Sequence, residues 1–123
     1  MSERIPVSGT VVTYHNRDEI LGCLSSLKEQ TKGVELSLYV SDNGSDNGTP
    51  AAVRTAFPDV TVFENGENLG FGAGHNKAIP YLSSRYHVMV NPDITLTEDA
   101  VSAMAAYMEA HPEVGLMMPD IRY

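Results

Sequence analysis

The sequence predicts an α/β domain, with a mostly parallel sheet carrying helices on both faces. Three observations lead there. Short apolar, β-branched runs alternate along the chain with stretches whose apolar residues recur at helical spacing. No hairpin turn joins two of the strand-like runs, so each strand must reach the next by a crossover, which makes the pairing parallel. The chain has 123 residues, of which 42% are hydrophobic, enough for one domain with a real core.

Val7 to Tyr14 reads as the first strand. Asn16-Arg17-Asp18-Glu19 has capping-box spacing, and Ile20, Leu21, Leu24 and Leu27 continue at helical spacing to about Gln30, before Lys32-Gly33. Leu36 to Val40 is the second strand, closed by the polar run Ser41 to Asp46. Thr49-Pro50 gives an N-cap and first turn for a short helix that stops before Pro58. Val60 to Phe63 is a third strand. The loop Asn65 to Gly70 then feeds a glycine-rich helix start, with Ile79 and Leu82 as its apolar face and Pro80 shortening or kinking it. Tyr86 to Val90 is the fourth strand. Thr97-Glu98-Asp99 opens a last helix with acidic residues in its first turn, where the dipole favours them. Val101, Met104, Ala105 and Met108 form its buried stripe, His111-Pro112 ends it, and Val114 to Met118 is a candidate further strand.

Composition narrows the function. The net charge is -8 and no Lys/Arg cluster forms a phosphate-tracking face, so nucleic acid is not an expected partner. An anionic ligand must therefore be held locally, by a metal, a helix N-terminus or backbone amides. The one cysteine, Cys23, lies between apolar neighbours and reads as a buried thiol. No apolar run approaches the roughly 20 residues of a membrane span, and the first residues have no apolar signal core. The expectation is a cytoplasmic protein without an integral membrane segment, with a peripheral position at the inner face of the membrane left open.

Ligands of open α/β sheets bind outside the carboxyl ends of the strands, and in a parallel sheet those ends all lie at one edge. Three polar loops should meet there: Thr13-Tyr14-His15-Asn16-Arg17, Asp42-Asn43-Gly44-Ser45 and Asn91-Pro92-Asp93. Asp42 is either an Asx-turn residue or an acceptor for a ring N–H of uracil or thymine. Tyr14 is either a half-buried strand-end aromatic or a flat face for a base. A carboxylate at Asp93 suits a hard divalent cation holding a diphosphate. The run Asn68-Leu69-Gly70-Phe71-Gly72-Ala73-Gly74-His75-Asn76 has glycines that would let backbone approach a pyrophosphate or sugar. It is neither a Rossmann fingerprint nor a P-loop, because the glycines follow the third strand and no Gly-Lys-Ser/Thr occurs. No Cys/His group has zinc spacing.

In order, Val-Val-Thr-Tyr-His-Asn-Arg, Val-Ser-Asp-Asn-Gly-Ser, Glu-Asn-Leu-Gly-Phe-Gly-Ala-Gly-His-Asn and Val-Asn-Pro-Asp-Ile resemble the motifs of the inverting glycosyltransferases of family 2, which have the GT-A (Rossmann-like) fold. The resemblance spans Val7 to Ile94 and continues to Pro119. It implies that Thr13, Tyr14, Asn16, Asp42, Asn68, Gly70, Asn76 and Asn91 surround a nucleoside-diphosphate sugar. It also implies that Asp93 holds Mg²⁺ or Mn²⁺. Asn91-Pro92-Asp93 stands where the family has Asp-x-Asp. With an amide in first place it is similar to the rhamnosyltransferase-type subgroup, which implies dTDP-rhamnose as donor, with UDP-sugars open, and a saccharide acceptor in cell-surface polysaccharide synthesis.

Members of that family continue well beyond this length, with an acceptor-binding half that holds the general base. Residues 1–123 are therefore expected to be the nucleotide-sugar-binding part of a truncated GT-A domain, inactive alone, with the base beyond residue 123. The truncation is expected to expose apolar surface around Met117, Met118 and Ile121 and to favour a homodimer. The competing expectation is a nucleotide-sugar-binding module without transfer activity. A receiver domain would need an acidic pair where this chain has Thr13-Tyr14-His15-Asn16.

Overall fold

The computed structural model describes residues 4–45, 47–77 and 84–115. Four strands and four helices alternate: β1 (Pro6–Thr13), α1 (Arg17–Gln30), β2 (Glu35–Asp42), α2 (Thr49–Ala56), β3 (Thr61–Glu64), α3 (Phe71–Asn76), β4 (Tyr86–Val90) and α4 (Ala100–Ala110). All strand pairs are parallel, in the order β3-β2-β1-β4. The chain steps outward from β1 to β3, then returns to the other side of β1. The topological switch point thus lies between β1 and β4, and open α/β sheets bind ligands outside the carboxyl ends at such a point.

Register explains how the faces divide. Val7, Val11, Leu38, Val40 and Val90 share one face of the sheet. Ile20, Cys23, Leu24 and Leu27 of α1, Val53 of α2, and Val101 and Ala105 of α4 join them in one core. The opposite face carries Ser8, Thr10, Ser37, Ser41 and His87, with Val12 among them. There α3 packs on Val12 so closely that a Cβ on Gly74 would lie 2.9 Å from a Val12 methyl. Toward the start of the strands this second face is stitched by polar contacts: Ser8 Oγ lies 2.7 Å from His87 Nδ1 and 2.6 Å from Ser84 Oγ. Met89, on the same face, is 57% exposed.

The predicted alternation is observed, with local shifts. β2 runs two residues past the expected end, because Ser41 and Asp42 continue the ladder opposite Val12 and Thr13. The capping box does not form as expected. Asn16 is the N-cap of α1 but makes no side-chain cap bond. Its Oδ1 accepts from Tyr14 N–H (2.8 Å) and its amide donates to Glu19 Oε1 (3.1 Å). Gly48, in the left-handed region, takes the N-cap of α2 in place of Thr49. Asp99 caps α4 rather than lying within its first turn, accepting from Ser102 N–H. Its second oxygen accepts the amides of Lys32 (2.8 Å) and Gly33 (3.1 Å), tying α4 to the turn after α1. Val114 and Gly115 are not in a strand. The remainder of that expected strand, the expected face at Ile79, Pro80 and Leu82, and the patch at Met117, Met118 and Ile121 lie outside the described residues. Among the described residues no helix is long and apolar enough to cross a membrane.

Candidate nucleotide-sugar site

Parallel pairing places the ends of β1, β2 and β4 side by side. Asp42 is the last residue of β2 and pairs in register with Thr13, the last of β1. Strands lie about 4.8 Å apart, so the side chains meet: Thr13 Oγ1 donates to Asp42 Oδ1 at 2.7 Å. Asp42 is only 2% exposed. It also accepts Ser45 Oγ at 2.6 Å and Ser45 N–H at 2.8 Å. The Asx-type turn is therefore formed, and three donors hold the carboxylate. A carboxylate has about four lone-pair positions, so one acceptor position remains.

Ser45 Oγ in turn accepts His15 N–H at 2.7 Å. His15 has φ 60, a conformation uncommon for a residue with a side chain, and this bond helps to hold it. The sharp turn projects Tyr14 outward, 50% exposed, with its ring 4.1 Å from that of His15. Tyr14 thus presents an exposed aromatic surface in the turn after β1 rather than filling the core.

A second network joins β2 to the glycine loop. Asn43 is 2% exposed, and its N–H donates to Thr13 O at 2.8 Å. Its amide nitrogen donates to Gly70 O (3.1 Å) and Asn68 Oδ1 (3.3 Å), and its Oδ1 accepts Asn65 Nδ2 (2.8 Å). Asn68 Oδ1 also accepts Gly70 N–H at 2.9 Å. Gly70 has φ 85, open to glycine at no steric cost, and nothing lies within 4 Å of where its Cβ would be. The loop backbone at Gly70 and Gly72 is exposed, as close approach of a ligand requires.

On the other side of the switch point, Asn91 and Asp93 follow β4 directly and are exposed. The turn is closed by Ile94 N–H to Asn91 O at 3.2 Å, and the Cys23 thiol lies 3.6 Å from the same carbonyl. Burial, with the negative charge of Asp93 adding to it, pushes the Cys23 thiol up to about 12. Cys23 therefore stays a thiol at neutral pH and packs as a small apolar side chain, as its neighbours in sequence suggest.

Thr13, Tyr14, Asn16, Asp42, Asn68 and Gly70 are thus linked through one set of hydrogen bonds and adjacent turns. Asn91 and Asp93 stand at the neighbouring strand end. Asn76 is exposed at the far end of α3. No described hydrogen bond joins it to the others. Asn43, Ser45 and Asn65 hold the arrangement together, although motif reading singled out none of them. The available signal was their position in the polar runs that follow β2 and β3.

Among the described residues no three His, Cys, Asp or Glu side chains converge to hold a metal. Mg²⁺-type sites commonly use one or two carboxylates, with waters and substrate phosphates filling the rest of the shell. The donor set at Asp93 fits a cation bridged to a diphosphate and does not fit a cation held by protein alone.

Comparison with known proteins bears on family and fold. Residues 10–121 match the glycosyl transferase family 2 domain. The chain is 29% identical over 133 residues to an N-acetylglucosaminyl-diphospho-decaprenol L-rhamnosyltransferase of Mycobacterium tuberculosis, covering 99% of this chain and 42% of the relative. It is 34% identical over 124 residues to an N-acetylglucosaminyltransferase of Rhizobium leguminosarum bv. viciae, covering 96% of this chain and 29% of the relative. The chain therefore spans less than half the length of these curated relatives.

Among solved structures, the mannosyltransferase PcManGT from Pyrobaculum calidifontis, in complex with GDP-Man and Mn²⁺, superposes with a TM-score of 0.81 at 29% identity. That match covers 93% of this chain and 35% of PcManGT. S. aureus TarS 1-349 in complex with UDP-GlcNAc shares the fold, with a TM-score of 0.77 at 23% identity over 88% of this chain and 32% of TarS 1-349. With the motifs in order, the sheet and its switch point in place, and residues 10–121 of the chain matched by the family domain, the chain belongs to glycosyltransferase family 2.

Proposed function

We propose that residues 1–123 bind the donor of a sugar transfer: a pyrimidine nucleoside-diphosphate sugar, dTDP-rhamnose or a UDP-sugar. The transfer is inverting, to a saccharide acceptor in cell-surface polysaccharide synthesis. The observation that carries the reading is that the buried Asp42, the exposed Tyr14 and the exposed Asp93 stand at or just after the carboxyl ends of three parallel strands, at one edge of the sheet. In this reading the remaining acceptor position of Asp42 takes a ring N–H of the base, and Tyr14 covers the base face. Backbone from Asn68 to Gly72 approaches the pyrophosphate or sugar. Asn76 and Asn91 border the sugar, and Thr13 and Asn16 hold the first loop in shape. Asp93 would hold Mg²⁺ or Mn²⁺ against the diphosphate. When bound, the metal offsets the negative charge that grows on the leaving diphosphate.

The rhamnosyltransferase name of the mycobacterial relative supports a deoxysugar donor and a lipid-diphosphate-linked acceptor. Such an acceptor suits a cytoplasmic protein working at the inner face of the membrane. The GDP-Man in the mannosyltransferase structure makes a purine donor the competing outcome. The matched stretches cover only 29% and 42% of the relatives. We therefore place acceptor binding and the general base outside the matched stretch, and expect these 123 residues alone to bind donor without transferring sugar.

Calorimetry with UDP, dTDP and GDP, each with and without Mn²⁺, tests the reading. Mn²⁺ alone should give no binding heat, and Mn²⁺ should tighten binding of the diphosphate. If Asp93→Ala binds UDP in Mn²⁺ as the parent does, the metal assignment is wrong. If GDP binds tighter than UDP and dTDP, the pyrimidine assignment is wrong.

A further inference from the structure

We propose that Asn43 is a positioning residue that sets the glycine loop at the height where its backbone meets the donor. The inference rests on the donor-binding reading above. Asn43 is buried just after the end of β2, and both polar groups of its side chain bond the loop that follows β3. The backbone N–H anchors it to Thr13 O at the end of β1. The side-chain nitrogen reaches Gly70 O and Asn68 Oδ1, and the side-chain oxygen receives Asn65. Asn65 N–H in turn donates to Asp42 O at 2.9 Å, and its side chain to Ser41 Oγ at 2.9 Å. The carboxamide is therefore a cross-brace between the end of β2, which carries Asp42, and the loop that carries Asn68 and Gly70.

Few other side chains could fill this role. The position needs a double donor facing Asn68 and Gly70 and an acceptor facing Asn65, within the reach of one carboxamide. Little slack is available, since a Cβ on Gly74 would lie 3.3 Å from Asn43 Nδ2. The hydrogen bonds of the Asp42 carboxylate run to Thr13 and Ser45 and do not pass through Asn43. The brace should thus govern where the loop stands without altering how Asp42 is held.

Asn43→Asp is the sharp test. It keeps an oxygen for Asn65 and replaces the double donor with an oxygen facing Gly70 O and Asn68 Oδ1. Asn68→Ala, an exposed change that spares the core, removes one arm of the same brace. The readouts are amide hydrogen exchange of the folded protein and Kd for UDP and ADP in Mn²⁺, at a temperature well below each variant's melting point.

Exchange at Gly70 and the first turn of α3 should speed at least tenfold in both variants, while β1 amides stay protected. UDP binding should weaken about tenfold, and the ratio of UDP to ADP affinity should stay as in the parent. A merely structural role would move global stability and leave these readouts of the folded state unchanged. Unchanged exchange, or unchanged UDP affinity, in Asn43→Asp overturns the positioning role. A parent chain that binds neither nucleotide overturns the donor-binding reading instead, so the two failures are distinct.

Discussion

Replacing Asp42 separates its work in the fold from its work on a base. The carboxylate is nearly inaccessible and accepts three hydrogen bonds, from Thr13 Oγ1, Ser45 N–H and Ser45 Oγ. Hydrogen bonds to a charged group contribute about 1.5–3 kcal/mol each, and a buried donor left without a partner costs about 1–3 kcal/mol. Ser45 is only half-buried, so its donors can turn to water, whereas Thr13 is fully buried and its hydroxyl cannot. Asp42→Ala should therefore cost about 2–4 kcal/mol, less than the sum of three bonds because water recovers part of it. Asp42→Asn keeps the shape and one acceptor oxygen but points an amide at Ser45 N–H, and should cost about 1–2 kcal/mol.

Urea unfolding at neutral pH measures both. In Asp42→Asn, the surviving folded fraction should bind UDP about tenfold more weakly, with preference over ADP and GDP lost, since an amide N–H facing a ring N–H cannot pair with it. A stability change under about 0.5 kcal/mol for Asp42→Ala would refute the three-donor geometry. A stability loss with pyrimidine preference intact would leave Asp42 as an architectural residue only.

Gly74→Ala should destabilise by about 1–3 kcal/mol, because the new methyl meets Val12 methyls at 2.9 and 3.0 Å. Gly72→Ala, which meets nothing within 4 Å, is the matched control, and equal melting temperatures would contradict the packing of α3. Asp99→Ala should cost about 1–2 kcal/mol through loss of the α4 cap and of the bonds to Lys32 and Gly33. Burial pushes the Asp99 carboxyl up, and hydrogen bonds from Lys32, Ser102 and Gly33 outweigh it, leaving the group below its ordinary value. Its contribution is thus complete above about pH 3.9 and vanishes as the pH falls through the lower folded value. The urea midpoints of parent and variant should accordingly converge in acid. His75 is held below its ordinary value by burial, with the charge of His87 adding to it. The unfolded chain therefore takes up that proton first, and stability should fall as pH drops below about 6.5. A His75→Gln variant should show a shallower decline, read from urea midpoints between pH 7.5 and about 5.5.

The fold was legible where the pattern of apolar residues depends on one element at a time. Val7 and Val11, or Ile20, Leu24 and Leu27, declare strand and helix by period alone, and burying them against one another requires the layered sheet that is observed. Element ends were less legible because they depend on a partner. Val40 looks like the end of a strand until the β1 ladder draws Ser41 and Asp42 into register. Asn16 and Glu19 have capping-box spacing, yet Asn16 Oδ1 is taken by Tyr14 N–H in the tight turn that follows β1. Asp99 lay within the right stretch but caps the helix, because the amides of Lys32 and Gly33 arrive from a distant turn to share its carboxylate.

The same division separates the legible and illegible parts of the site. Which loops share an edge follows from topology: parallel strands put their carboxyl ends at one edge, and the order β3-β2-β1-β4 puts the switch point between the loops after β1 and β4. What the loops do to one another does not follow, because a polar side chain's partners are chosen by geometry finer than sequence spacing. Asp42 and Asn43 show the limit. Adjacent and almost equally buried, they were equally plausible as loop polars. One faces Thr13 and Ser45 and leaves one acceptor position unused among its described hydrogen bonds. The other faces Asn65, Asn68 and Gly70 and spends its whole side chain on the scaffold. A one-residue step along a strand end reverses the side-chain direction, and that reversal gives the neighbours different partners: Asp42 the end of β1 and its own turn, Asn43 the loop after β3.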